Sequence, residues 1–168
     1  MKPNRMGCSL LPFTHATATH TRWGAMDEFE AGNVLAKHDG TSWNSGAFAP
    51  VSLTVGWEIP QRCIAGLCLT PDMVPETGVV EVEVRVNNER LCTHTADWTG
   101  GRVLNIPFPH VVHTSAVKLT FTQSPSWIAL FWIEAWQFRG VPTVVRSPIS
   151  LTTGPVPFRR RVCLSVLE

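Results

Sequence analysis

There is no tyrosine among the 168 residues, charged side chains make up only 16%, and no internal repeat, heptad, glycine-rich phosphate loop or low-complexity tract occurs. A charged fraction this far below the usual ~25%, with a formal net charge of +1, leaves no basic field to gather nucleic acid or an anionic membrane. Neither partner is expected. The longest apolar run, 127–133, falls far short of the ~20 residues that span a bilayer, so membrane insertion is not expected either. The amino-terminal MKPNRMGCSLLPF has basic residues but no apolar signal-peptide core, and Cys8 lacks the hydrophobic segment of a lipoprotein signal. The expectation is a soluble chain made in a cytoplasm without an export signal of its own.

Five cysteines, an odd number, without a CxxC spacing fit neither a disulfide framework nor a zinc site, and reduced thiols are expected. G-x-S-x-G and HExxH are both missing. His110 and His113 have no spacing that would bring both to one metal, and Asp27, Glu28 and Glu30 read as a solvated acidic loop rather than a glycosidase pair. Without a convergent acid, base and nucleophile, catalysis is not expected.

What is present is an all-β palette. The apolar fraction is 44%, and Thr, Ser, Pro, Gly and Asn replace the missing charge. At this length one domain can bury a working core without staples. Seven apolar segments at 51–57, 62–69, 79–86, 89–95, 102–108, 115–122 and 126–138 are punctuated by turn residues, the pattern of a sandwich or barrel. Val80, Val82, Val84 and Val86 alternate with Glu81, Glu83 and Arg85, which puts one face in a core and the other in water. Asn87 and Asn88 then tolerate the positive φ of a tight antiparallel hairpin. Pro107 and Pro109 are expected to end ladder pairing after 102–106. The fold class expected is an antiparallel β-sandwich, a jelly roll at 31–140, with an arm or edge strand at 1–30 and an extended tail at 141–168.

Asp39, Gly40, Thr41, Ser42 and Trp43 form an early Asp-Gly loop leading to a Trp; Ala116, Val117, Lys118 and Leu119 form a strand with one cation; Glu134 stands in the last apolar strand, with Gly140 after it. On these motifs 33–140 resembles the discoidin, or coagulation factor 5/8 type C, family of galactose-binding-like, carbohydrate-binding-module-like sandwiches. The resemblance implies binding rather than catalysis. It also implies a structural calcium ion, for which Asp39, Thr41 and Glu134 match the family's oxygen donors. The alternative is that Asp39 caps its turn and Glu134 bonds backbone donors.

Glycan recognition needs an aromatic face and a few polar side chains. Seven tryptophans offer candidates, and the loop TADWTGG supplies Trp98 beside Asp97, Arg102 and His94, with Trp43, Asn44 and Trp23 next. The plainer reading is that each Trp plugs an end of the sandwich. Trp127, Trp132 and Trp136 are expected to be buried, although Trp132 and Trp136 share strand parity with Glu134 and Phe138. Arg159, Arg160 and Arg161 form a basic triplet suited to acidic patches on a neighbouring subunit. The function expected is a glycan-binding or adhesion module within a larger oligomeric assembly, such as a virion or phage tail. The alternative is a structural cement protein whose Trp-rich loops and two tails bind protein.

Overall fold

The computed structural model describes residues 7–22, 29–36 and 40–138. Among these residues eight strands are formed: β1 (Cys8–Pro12), β2 (His15–Ala18), β3 (Trp43–Asn44), β4 (Val51–Pro71), β5 (Thr77–Val86), β6 (Glu89–Thr99), β7 (Leu104–Gln123) and β8 (Ala129–Phe138). A 3-10 turn, Ala31–Leu35, precedes β3. Every strand pairing is antiparallel, in the order β1-β8-β4-β7-β5-β6, with β2 on β4 and β3 on β8. Among the described residues no helix is long and apolar enough to cross a membrane.

This continuous sheet becomes an antiparallel β-sandwich because its two longest strands bend. The start of β4, 51–56, pairs with β2 and with 116–121 of β7; its end, 64–71, pairs with β8 and with 104–112 of β7. Three register shifts between Gly56 and Gly66 mark the crossing, where bulges let a strand leave one layer for the other. Cys63, at φ 58°, lies in this corner.

The sequence segments 51–57 and 62–69 are thus one strand, as are 102–108 and 115–122. Pro107 does not end its ladder: it pairs with Gly66 inside β7. That half of β7 pairs only with β4 among the described strands, and an edge position tolerates a residue without an N–H. Of the two readings of the first residues, the described part is strand. β1 extends β8, β2 extends β4, Phe13 stacks on Trp57 at 4.3 Å, and the Trp57 indole donates to the Pro12 carbonyl at 2.7 Å. The tail expected at 141–168 lies outside the described residues.

Alternation places the core. Val51, Leu53 and Val55 of β4, Val80, Val82, Val84 and Val86 of β5, and Val117, Leu119 and Phe121 of β7 are buried in one layer. Leu67, Leu69, Ile106, Ile133 and Ala135 are buried in the other. The β5–β6 hairpin turns at Asn87 and Asn88, with φ 52° and 67°, as a two-residue turn with two left-handed positions requires.

Candidate functional site

The two tryptophans expected to meet a sugar are core residues. On β6, His94, Ala96 and Trp98 share one side of the strand and Thr95 and Asp97 the other. Trp98 is 1% exposed and packs edge-on against Phe121 at 6.0 Å. Trp43, fully buried, lies 6.2 Å from the same ring and donates its indole N–H to the His20 carbonyl at 3.1 Å. Asn44 is also buried, and its side-chain oxygen accepts from the Gly46 amide at 2.9 Å. Neither Trp face can stack on a ligand. The reason is tertiary: each ring closes the end of the core where β3, β6 and β7 converge.

The polar companions of Trp98 do gather. His94, Asp97 and Arg102, with Thr95 and Thr99, line a cleft of about 270 Å³ walled by Pro71 and Val103. It opens where the edge strand β6 of one layer meets the start of β7 in the other. The connection between them is pinned by backbone bonds from Gly100 to Glu76, Gly101 to Pro71 and Arg102 to Thr99, at 2.9–3.1 Å. Gly101 takes φ 71°, and a side chain at Gly100 would meet Met73 Sδ at 2.7 Å, so a tight turn carries Arg102 back to the cleft. Among the described residues, none of the His94, Asp97 and Arg102 side chains has a hydrogen bond or ion pair. Asp97 and Arg102 border one small space without closing on each other. The cleft therefore presents an acceptor and a forked donor together.

The expected calcium donors are only partly described. Asp39 lies outside the described residues; Thr41 and Glu134 lie inside, and both already have interactions. Thr41 borders a space of about 280 Å³ with Phe131 and Trp132. Glu134 follows Trp132 by two residues on β8, so it lies on the same face. Among the described residues no group of three or more His, Cys, Asp or Glu is arranged to hold a metal. Trp23, Asp27, Glu28, Arg159, Arg160 and Arg161 also lie outside the described residues.

Sequence reasoning missed a third surface. Trp127, Trp132 and Trp136 are half-buried rather than enclosed. Trp132, Glu134, Trp136 and Phe138 project from the outer side of β8, because Ile133 and Ala135 take the core side. Trp136 packs over Gly66, where a β-carbon would lie 3.0 Å from its ring and 2.6 Å from the Ile106 carbonyl oxygen. With Leu10, Pro107, Val111 and Phe138 it lines an apolar groove of about 590 Å³. The parity shared with Glu134 was the available signal for an outward row.

No protein-family model matches the chain, and no curated protein matches it by sequence. Solved structures match by shape. A family 32 carbohydrate-binding module of Clostridium perfringens NanJ, solved with galactose, superposes with a TM-score of 0.62 at 16% identity, over 77% of this chain and 99% of the module. A second family 32 module of Clostridium perfringens, solved with GalNAc-β-1,3-galactose, gives a TM-score of 0.65 at 18% identity, over 76% and 99%. A chitosan-binding module of a Paenibacillus chitosanase/glucanase gives 0.56 at 22% identity, over 74% and 95%. The chain has the discoidin-like, galactose-binding-like β-sandwich fold of the family 32 carbohydrate-binding modules.

Proposed function

We propose that this chain is a non-catalytic glycan-binding module whose ligand sits in the cleft of His94, Asp97 and Arg102. The observation that carries the reading is that Asp97 and Arg102 line one cleft without pairing, on a fold shared with modules solved in complex with galactose and GalNAc-β-1,3-galactose. Vicinal sugar hydroxyls donate and accept at once, so a carboxylate and a guanidinium facing one space suit them, while an ordinary anion would be repelled by Asp97. Val103 and Pro71 offer an apolar wall for the ring's C–H face.

Hydrogen bonds to charged groups contribute about 1.5–3 kcal/mol each, against an association cost of at least ~4 kcal/mol. Two or three such bonds without an aromatic platform therefore imply a Kd of roughly millimolar or weaker. Titration by NMR or calorimetry suits that range. Galactose, GalNAc-β-1,3-galactose and chitosan oligomers are the first probes, followed by a broad glycan array. Asp97→Ala and Arg102→Ala should each weaken binding about tenfold without changing the melting temperature, since both side chains are exposed. Binding unaffected by both substitutions, or none to any glycan, refutes the reading.

The cement reading drew on the Trp-rich loops and the two tails as contacts for a neighbouring protein. Of these, Trp43 and Trp98 lie in this chain's own core, and the tail 141–168 lies outside the described residues.

A further inference from the structure

The groove on the outer face of β8 is unusual for a sandwich, whose outer faces are ordinarily polar. Leu10 is 39% exposed, Val111 46% and Phe138 44%. They adjoin Trp136, Pro107 and Phe108 around about 590 Å³. Contiguous apolar surface of this kind marks a contact. The polar side chains of the lining are confined to Cys8, Ser9 and His110, too sparse a set to read the hydroxyls of a sugar.

We propose that the groove is the docking site of this chain's own carboxy-terminal segment, residues 140–158. Three observations select that occupant. Phe138, the last described residue, is itself a wall of the groove. The segment that follows is therefore tethered to the site through the single residue Arg139, at the high effective concentration a short linker confers. Its chemistry matches as well. Between Gly140 and Phe158 only Arg146 is charged, while Val141, Val144, Val145, Ile149 and Leu151 are apolar. Pro142 and Pro148 favour an extended backbone that lies across side chains rather than joining a ladder. Size argues against a second folded copy: eleven residues line the groove, whereas a standard protein interface engages about 20–30 residues a side.

Hydrogen exchange read by mass spectrometry on the full chain tests this. Backbone amides within 141–152 are expected to exchange at least tenfold more slowly than an unstructured chain. Val111→Glu and Phe138→Glu, both at the exposed rim, should each return them to unstructured rates while the amides of 51–56 and 117–121 keep their protection. Should a rim variant unfold, the pair Val144→Asp and Val145→Asp serves instead. It leaves the described sandwich unaltered and is expected to speed alkylation of Cys8, which lines the groove. Unprotected tail amides in the parent overturn the proposal. So does protection that survives both rim variants, or a Cys8 rate indifferent to the tail substitutions. Protection lost on dilution overturns it too, because a second copy would then supply the segment.

Discussion

Replacing Trp98 separates a packing tryptophan from a recognition tryptophan. In the structure its ring is 1% exposed, stands edge-on to Phe121 and is enclosed by the end of the sandwich. Truncation to alanine removes a fully buried aromatic and leaves a cavity that β6 and β7, both tied into the sheet, can close only partly. Losses of this kind are about 3–5 kcal/mol, and at roughly 2–8 °C per kcal/mol for domains of this size range the melting temperature should fall by about 10 °C or more. Trp98→Phe is the informative partner. It sacrifices part of the buried ring, worth about 1 kcal/mol at ~25 cal/mol per Å², but it also deletes an indole N–H that has no protein hydrogen-bond partner. An unsatisfied buried donor costs about 1–3 kcal/mol, so the phenylalanine variant should lie within about 1 kcal/mol of the parent. Urea unfolding followed by far-ultraviolet circular dichroism measures both, independently of the other tryptophans. A Trp98→Ala chain as stable as the parent to within ~0.5 kcal/mol that nonetheless loses glycan binding would refute the core assignment and restore Trp98 as a recognition residue.

Gly66→Ala should destabilise by about 1–3 kcal/mol, because its new β-carbon would lie 2.6 Å from the Ile106 carbonyl oxygen and 3.1 Å from Pro107 Cα, backbone that cannot yield without moving β7; urea titration checks it. A structural calcium ion on Asp39, Thr41 and Glu134 should raise the melting temperature when calcium is added, and Glu134→Gln should abolish the rise. A hundredfold excess over Kd would contribute about 2.7 kcal/mol, so no shift at millimolar calcium refutes that site. Burial pushes the Cys92 thiol above its ordinary value of 9.0. The unfolded chain then loses its thiol proton first, so any contribution of Cys92 to stability is lost as pH rises past 9.0. The pH profile of Cys92 alkylation should be displaced upward in the native protein relative to the urea-unfolded chain, and coincident profiles would refute the shift.

Much of the strand content was legible because it rests on short-range rules. The valine alternation at 80–86 and the Asn87-Asn88 turn each depend on a few neighbouring residues, and both appear as expected. The continuity of 51–57 into 62–69, and of the strand through Pro107, was not legible. A bulge and a loop draw on the same residues, and only pairing with a distant strand shows that β4 and β7 continue through their bends. The cleft was half legible: His94, Asp97 and Arg102 are close in sequence and meet in space, but Pro71 arrives from β4.

The local pattern alone determined that the described part of this chain is built of β-strands, where its hairpin turns, and which polar side chains cluster on and just after β6. Backbone preference and period-two alternation act over a few residues, so one strand suffices to express them. Tertiary structure decided which face of each strand meets the other layer. It enclosed Trp43 and Trp98, left Trp136 on an outer groove, and built that groove from β1, β4, β7 and β8. Burial is a property of what covers a side chain, and here the covering residues lie tens of positions away.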